Sequence, residues 1–411
     1  MKIACLFLLI LLSPLTAISQ DRILAVSSKD SVGSVPKWKG SLGANLKLNG
    51  YFDVFGGLQD SETFNVGMIN VFGTDDSSSF HMDLYQTQLR LESSYLDNNG
   101  EAIGAMVEFD FWGGNGHMRL RKAFVEWKGW QIGQNWNNFG DEVLWPDIME
   151  WEGPPSGVWL RTPHVKYSNT FKNERWIYEL SLEAPITNYV SFEEFEINAE
   201  EAYQNTPDLT LAIKNNYDWG HIRLSSVLRN VRYKIDGETD NFIGYGFSLS
   251  GIYTNERKNN IQFQVVAGEG ITAYMTSLAG LGYDGYRQQD NSFRATPAIG
   301  GWASYAYYFT PNLHSSLVFG YTQYRFTDVA EFSVITETDE EIFINQGDFQ
   351  NAHYYGIVNI MYSPFPRMTL GIELDYGVKE IDFEGSVNSG YFSDSKSRDA
   401  MRISFGFMFY L

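Results

Sequence analysis

Cysteine is almost absent from this chain of 411 residues. The one cysteine, Cys5, lies inside the first apolar stretch and comes too early to serve as a lipoprotein anchor. If that stretch is removed, the remaining chain has no thiol. This excludes cysteine catalysis, cysteine-based zinc sites and a disulfide framework.

Long hydrophobic runs are missing beyond the first residues. Residues 4–12 form an apolar core that is too short to span a bilayer as a helix. The small residues Ala17 and Ser19 suit the positions before a cleavage site. We predict that residues 1–19 are a signal peptide cleaved after Ser19. No later window approaches eighteen apolar residues, so the sequence predicts no transmembrane helix.

Basic residues are scarce relative to acidic ones: 30 Lys and Arg face 50 Asp and Glu, which gives a net charge of −20. A general nucleic-acid binder needs a basic footprint, so we predict no nucleic-acid partner. Runs of carboxylates are either solvated loops or Ca²⁺ sites. These runs are Glu193, Glu194 and Glu196, Glu200 and Glu201, and Asp339, Glu340 and Glu341.

The chain is instead rich in aromatic residues, at 16%, and in glycine, with 38 residues against 12 prolines. Apolar residues alternate with polar or small ones in many segments, which is the period of a β-strand. In 367–380, the even positions from Met368 to Val378 are apolar, and the odd positions are charged or small. The last residues, 402–411, repeat the pattern with Ile403 to Leu411.

About sixteen such segments can be counted, and many run to roughly ten residues or more, the length that a tilted strand needs to cross a bilayer. Strands of soluble sandwiches are shorter. Short connections alternate with long ones, as periplasmic turns and external loops do in outer-membrane barrels. We predict an all-β fold, a transmembrane antiparallel β-barrel of about 16 strands over residues 41–411. Residues 20–40 are a loose periplasmic lead-in. The predicted long loops are 57–79, 138–160, 186–206, 268–295, 327–349 and 384–398.

Aromatic residues at strand ends suit the two interfacial girdles of such a barrel. A soluble core is the competing interpretation, weakened because tyrosine is frequent and its hydroxyl favours a wet neighbour. The candidates are Tyr305, Tyr307, Tyr308, Phe309, Tyr321, Tyr324, Phe326, Tyr354 and Tyr355.

The loop 137–160 combines three stiffening prolines with tryptophans and carboxylates. We predict that it folds into the barrel as a constriction loop, where its acids face basic residues of the wall and filter solutes by charge and size. The alternative is a surface loop packed against a neighbouring subunit. Its acidic residues are Asp141, Glu142, Asp147, Glu150 and Glu152.

Strand parity places a row of basic residues inside the barrel. Arg119 and Arg121 share parity with His117, and an arginine facing lipid at mid-bilayer costs about 2–4 kcal/mol. Inward arginines attract anions and hold carboxylates bidentately. The pattern is equally consistent with arginines that have only a structural role and form ion pairs with glutamates of the lumen. The predicted pore-lining residues are His117, Arg119 and Arg121, with a second possible row at His221, Arg223 and Arg229. Arg161, His164 and Lys166 are weaker candidates for the same lining.

The same parity puts Lys122, Phe124 and Glu126 on the outward side, where the two charged residues could pair at a subunit contact.

No histidine spacing suits a metal, and no nucleophile elbow, P-loop or dinucleotide fingerprint is present. We therefore predict a protein that is not an enzyme, with no cofactor and no metal.

Residues 119–141 resemble the DcaP-like porin family. The resemblance rests on Arg119-Leu120-Arg121, Trp127, Gly133-Gln134, Trp136, Asn138-Phe139 and Asp141, with Gly153-Pro154-Pro155 in the following loop. It is sharp over about a tenth of the chain. It implies a homotrimeric outer-membrane channel for small, often anionic solutes such as dicarboxylates. The family's periplasmic coiled coil has no counterpart in residues 20–40, which lack heptads. The leader resembles those of Bacteroidetes-type bacteria.

The sequence thus predicts a porin in the outer membrane that lets small hydrophilic, preferentially anionic solutes diffuse through an arginine-lined lumen. Its predicted partners are these solutes, outer-membrane lipid and two further copies of the same chain in a homotrimer. The alternative is an adhesion or docking barrel with a plugged lumen that acts through its acidic external loops.

Overall fold

A computed structural model of the chain describes residues 22–56, 58, 63–73, 76–171, 175–186, 200–201, 204–235, 238–290, 292–335, 341–387 and 390–411. The predicted signal peptide, residues 1–19, lies outside this described part. Among the described residues, no helix is long and apolar enough to cross a membrane. Two single turns of 3₁₀ helix occur, at Val66–Met68 and Thr272–Tyr274.

The remaining regular structure is β. The strands are β1 Arg22–Ser27, β2 Ser31–Val32, β3 Val35–Pro36, β4 Trp38–Phe55, β5 Ser79–Asp83, β6 Gln88–Leu96, β7 Ala102–Asp110, β8 Arg119–Trp127, β9 Trp130–Trp136, β10 Arg161–Phe171, β11 Trp176–Glu183, β12 Glu200–Glu201, β13 Asp208–Tyr217, β14 Gly220–Ile235, β15 Glu238–Thr254, β16 Asn260–Glu269, β17 Gly285–Arg287, β18 Phe293–Ala295, β19 Pro297–Thr310, β20 Leu313–Ile335, β21 Glu341–Phe365, β22 Met368–Val387 and β23 Gly390–Tyr410.

The strands close into an antiparallel barrel of 16 strands, as predicted from the alternating pattern. Each barrel strand pairs with its neighbours in sequence, and β23 closes the ring on β4 through partners such as Phe407 and Leu48. One ring position is shared by β5 and β6, which pair with successive parts of β4. Closure leaves no open edge in the ring, which is the condition for β structure in hydrocarbon.

The side chains of the barrel are arranged inside out relative to a soluble protein. Apolar residues point outward and stay exposed, for example Phe319 at 60% of its surface. Polar and charged residues of the same strands point inward and are buried, among them Asp375 and Arg402. An exposed apolar band around a polar interior is favourable only where the surrounding solvent is lipid.

The connections separate the barrel into a turn end and a loop end. The turn end carries the short connections 97–101, 128–129, 218–219, 255–259, 311–312 and 366–367. The loop end carries the loops 56–78, 137–160 and 270–296. Two of the segments predicted to be long loops are mainly β-strand instead. Most of 327–349 and 384–398 is paired strand, because β20 to β23 continue beyond the rest of the barrel wall.

Part of the predicted aromatic girdle is correct. Tyr305, Tyr307, Phe309, Tyr321 and Tyr354 are exposed on the outer face. By contrast, Tyr324, Phe326 and Tyr355 are buried on the inner face, and Tyr308 is half-buried. Adjacent residues of a strand point to opposite faces, so both members of a pair such as Tyr354 and Tyr355 cannot lie in the girdle.

Residues 22–40, most of the predicted lead-in, contain regular structure. β1 pairs antiparallel with the first part of β4, from Ser27 opposite Lys39 to Arg22 opposite Gly43. β6 pairs with the other side of the same part of β4. β1 therefore takes the side of β4 that β23 occupies farther along the strand, and it extends the wall at the turn end.

Candidate functional site

The 137–160 loop crosses the inside of the barrel, as the fold prediction stated. Its backbone contacts side chains on strands around most of the ring. The Met149 carbonyl accepts from Lys47 on β4 at 2.8 Å, and Val158 N–H donates to Gln264 on β16 at 2.9 Å. Ser156 N–H donates to the Tyr355 hydroxyl on β21 at 3.1 Å. These contacts hold the loop across the lumen rather than on the surface.

The tip of the loop is fixed by one carboxylate of the wall. Glu373 on β22 accepts the backbone N–H groups of Met149 and Glu150, each at 2.8 Å. Asn359 on β21 donates to both Glu373 and the Asp147 carbonyl, again at 2.8 Å. Backbone groups that are buried without partners cost about 1–3 kcal/mol each, so this acceptor sets the position of the tip.

The start of the loop is fixed through Asp141, which is 2% exposed. Its Oδ2 lies 2.8 Å from His221 Nε2 and accepts from the Ser250 hydroxyl at 2.8 Å. Burial alone would raise the pKa of Asp141, but the hydrogen bond and charge of His221, together with Arg223, hold it well below its usual value. Serine, histidine and aspartate thus meet here. Because Ser250 and His221 both bind the same carboxylate oxygen, the histidine does not lie between base and nucleophile as in a catalytic triad.

The other four predicted carboxylates of the loop differ in environment. Glu142 and Asp147 are exposed. Glu150 is buried and accepts the backbone N–H groups of Phe64 and Glu152, at 2.9 and 3.1 Å. Burial and then the charge of Glu150 raise the pKa of Glu152 to about 7. Two of the five acids are therefore exposed to the lumen, and Glu152 changes its charge near neutrality.

The basic strand β8 contains a bulge that the sequence pattern does not predict. Glu108 pairs with Lys122 but Phe109 pairs with Leu120, so Arg121 is an extra residue. A bulge shifts the alternation by one residue. Arg121 and Lys122 consequently both point inward, and Phe124 and Glu126 follow them. The expectation that Lys122, Phe124 and Glu126 face outward is therefore wrong.

The two arginines that opened the predicted basic row are paired with carboxylates of β7. Arg119 binds Asp110 bidentately, at 3.0 and 2.7 Å. Arg121, only 5% exposed, donates to Glu108 and to Asp110 at 2.9 Å each, and its guanidinium lies 4.5 Å from the centre of the Trp151 ring. Their charges are largely compensated by partners on the wall itself.

The arginines on β14 point inward as predicted, and both are buried. Arg223 donates to Glu179 at 2.8 Å and to the carbonyl of Asn138 at 2.8 Å, so it helps to fix the 137–160 loop. Arg229 is 1% exposed and donates to Asp208 at 2.9 Å and Asp284 at 2.7 Å. Solutes in the lumen have no access to the Arg229 guanidinium.

Arg161 and His117 complete the predicted set. Arg161 begins β10, and its guanidinium lies 4.8 Å from the centre of the Trp136 ring. Lys122 Nζ lies 5.7 Å from the centre of the same ring. His117 is exposed in the connection before β8, at the loop end, and it is not on a wall strand.

The chain was compared with known proteins. No protein-family model and no curated protein matches it. Among solved structures, the outer membrane channel DcaP of Acinetobacter baumannii is 17% identical, with a TM-score of 0.66, covering 93% of this chain and 100% of that one. An anion-selective porin from Comamonas acidovorans is 8% identical, with a TM-score of 0.50 and coverage of 90% and 99%. OmpT of Vibrio cholerae without loop L8 is 10% identical, with a TM-score of 0.50 and coverage of 90% and 99%.

The chain has the fold of outer-membrane porins. At these identities the likeness concerns the fold alone.

The porin fold brings together basic residues that sequence reasoning missed or ranked low. Lys122 was assigned to the wrong face, Lys166 was a weaker candidate and Lys214 was only one polar position in an alternating strand. All three point inward, on β8, β10 and β13. In the structure the bulge is accompanied by Gln134, whose side chain donates to the Leu120 and Arg121 carbonyls at 3.3 and 3.0 Å.

The acidic runs considered as Ca²⁺ sites stay a prediction. Residues 193–196, 339 and 340 lie outside the described residues, and the side chains of Glu200, Glu201 and Glu341 do too.

Proposed function

We propose that the chain is a porin through which small hydrophilic solutes diffuse passively, with a preference for anions such as dicarboxylates. The observation that carries this proposal is the charge on the inner face of β8 to β14. Cationic side chains outnumber carboxylates there, and the exposed Glu142 of the 137–160 loop interacts electrostatically with Lys122 and Lys166. Charges of opposite sign across a narrow lumen favour anions on the basic side.

The arginine-lined lumen stays part of this proposal in a modified form. Arg119, Arg121 and Arg223 contribute to the basic wall but carry carboxylate partners. Arg161 also contributes to the basic wall, and its guanidinium lies over the ring of Trp136. We propose no reaction at this wall, since solutes only pass along it.

The test is ion selectivity in planar bilayers. The purified protein in a KCl gradient is expected to show single-channel conductance. The sign of its reversal potential is expected to be that of a channel more permeable to chloride than to potassium. Addition of succinate to one side should reduce the chloride current, since both anions use one pathway. A reversal potential of the cation sign, or no conductance, would overturn the proposal.

We also propose that the chain is a DcaP-like, Bacteroidetes-type porin that is exported by a cleaved signal peptide and assembles as a homotrimer. The motif at Arg119 to Asp141 supports the family assignment, and the periplasmic lead-in is the segment before β4. N-terminal sequencing of the mature protein tests cleavage after Ser19. The mass of the detergent-solubilised complex tests the trimer.

A second candidate is the plugged barrel that acts in adhesion or docking. It is favoured by one observation, the series of hydrogen bonds that ties the 137–160 loop to β4, β16, β21 and β22. Liposome swelling separates the two proposals. A channel admits small sugars and dicarboxylates, and a plugged barrel admits neither.

A further inference from the structure

The inward cations of the wall from β6 to β14 fall into two groups. The paired group holds Arg90, Arg119, Arg121, Arg223 and Arg229, each within a salt bridge. The unpaired group holds Lys122, Arg161, Lys166 and Lys214. No carboxylate of the described residues lies within 4.0 Å of the charged atoms of this second group.

The paired arginines form a compensated cluster. Arg90, Arg119 and Arg121 contact Glu92, Glu108 and Asp110, so three positive charges meet three negative ones. The net charge of this cluster is zero. A solute at some distance experiences only its dipoles, whose fields fall off faster than that of a full charge.

The unpaired cations present full charges. Lys122, Arg161 and Lys214 are half-buried, and Lys166 is 7% exposed. None of their nitrogen atoms is among the fully enclosed polar atoms without a partner, so each retains contact with solvent. A cation in contact with solvent and without a carboxylate within 4.0 Å attracts an anion more strongly than a cation in a salt bridge. Carboxylates farther away offset part of this charge, Glu108 at Lys122 and Glu142 and Glu179 at Lys166.

These four cations also follow the direction of transport. Arg161 begins β10 at the loop end; it has the parity of the outward residues Pro163 and Val165, and its guanidinium is placed by the contact with Trp136. Lys166 lies five residues farther along the same strand, which corresponds to about 16 Å, and points inward. Lys122 lies on β8 close to Arg161, since both contact Trp136. Lys214 on β13 is three residues from the turn end of its strand. Neighbouring charges are spaced within about one to two Debye lengths at physiological salt.

We propose that the anion preference of this channel is set by the unpaired cations Lys122, Arg161, Lys166 and Lys214, and that the paired arginines of the same wall are structural. The proposal rests on the proposed channel function and names the residues that carry its selectivity. Glu142 of the 137–160 loop opposes two of them, Lys122 and Lys166, and lowers their net effect.

The experiment compares reversal potentials at low salt for Lys122→Gln, Arg161→Gln, Lys166→Gln and Lys214→Gln, singly and combined. One full charge at about 6 Å in water changes the occupancy of a passing ion about threefold. Each single variant is expected to lower the chloride-to-potassium permeability ratio up to about threefold. The combined variant is expected to lose anion preference. Glu142→Gln, at an exposed loop position, should raise the ratio by a similar factor.

The matched control is the double variant Arg119→Gln with Asp110→Asn, which removes the Arg119–Asp110 pair, leaves Arg121 paired with Glu108 alone and keeps the net charge unchanged. Its permeability ratio should stay within about a factor of two of wild type. The single change Arg119→Ala is a poor test, because it leaves Asp110 with one partner fewer and adds negative charge to the lumen. The shift in electrophoretic mobility on heating verifies that each variant is a folded barrel.

The outcomes separate the two proposals. If wild type is anion-selective, the combined variant stays so and Glu142→Gln has no effect, the residue assignment is overturned and the channel function stands. The assignment is equally overturned if the paired control loses anion preference while the unpaired variants keep it. If wild type conducts no ions or prefers cations, both proposals fail together. If the combined variant does not fold, the single variants and Glu142→Gln decide.

Discussion

The barrel has a short wall and a tall wall, which differ in strand length and in the side chains of their inner faces. The short wall, β6 to β11, has strands of 7 to 11 residues whose inner face carries charged side chains. The tall wall, β20 to β23, has strands of 20 to 25 residues. Near the loop end its inner face is apolar, with Phe326, Ile344, Phe349 and Phe383 packed against the 270–296 loop.

The comparison shows that one antiparallel sheet can enclose two kinds of interior. Where the wall is short, inward charges are satisfied by ion pairs or remain in contact with solvent. Where the wall is tall, its part at the loop end resembles the core of a soluble protein and supports the loops. The 137–160 loop connects the two walls, because Asn138 N–H donates to Glu183 of β11 and Met149 N–H donates to Glu373 of β22.

The largest expected effect breaks the packed interior of the tall wall. Phe383→Ala removes a buried ring that lies against Phe349 and Phe392, with centroids 6.2 and 6.0 Å away. Replacing a buried phenylalanine with alanine costs about 3–5 kcal/mol. We expect a lower unfolding temperature by circular dichroism in detergent and faster trypsin cleavage in the 270–296 loop.

The control for this change is Tyr391→Ala, on the same hairpin, whose side chain is 67% exposed. It should unfold like wild type. Equal unfolding temperatures for Phe383→Ala and wild type would show that the inner face of the tall wall is not a packed core.

An intermediate effect is expected where the tall wall holds the constriction loop. Glu373→Leu removes the acceptor of two loop N–H groups and of Asn359. Each donor left without a partner costs about 1–3 kcal/mol, so the tip should detach. We expect a larger single-channel conductance and more open-channel noise, with the barrel still folded. Glu373→Gln keeps one acceptor oxygen and should lie between Leu and wild type. A conductance that the Leu variant leaves unchanged would contradict this role.

The smallest expected effect sharpens the electrostatic side of the comparison. Glu152 has its pKa raised to about 7, so it is neutral below that pH and negative above it. Its negative charge offsets Arg119 and Arg161, which interact with it electrostatically. Anion preference should therefore be higher at pH 5.5 than at pH 8.5, with a midpoint near 7 and a change of about twofold to threefold.

Reversal potentials measured across this pH range provide the check. Glu152→Gln should remove the step and keep the acid-side selectivity at all pH values. Glu142→Gln should retain the step. A step of unchanged size in Glu152→Gln would assign the titration to another group.

The fold could be read from the sequence to a large extent. The alternation at 367–380 and 402–411 corresponds to β22 and β23, and the short connections fall at the turn end. This succeeds because a strand with lipid on one side and a polar interior on the other has to alternate at every position. The lengths of β20 to β23 were underestimated, since the parts of these strands beyond the barrel no longer follow that contrast.

The candidate site was predicted less completely. The inward fold of the 137–160 loop follows from its prolines and tryptophans, and parity correctly places Arg223 and Arg229 inside. Parity failed at Lys122, because one bulged residue reverses the faces of all that follow on the strand. It also could not show that Arg121 has carboxylate partners, since Glu108 and Asp110 come from the adjacent strand.

The sequence by itself determined that the chain is a β-barrel with a lipid-facing exterior, because the two solvents impose a period of two on every strand. Only the tertiary structure decided which inward charges remain available to a solute. That outcome depends on pairs between different strands and loops, such as Arg229 with Asp208 and Asp284, and on the lack of such partners around Lys166 and Lys214 within the described residues. Local patterns specify the direction of a side chain, and long-range packing specifies its partner.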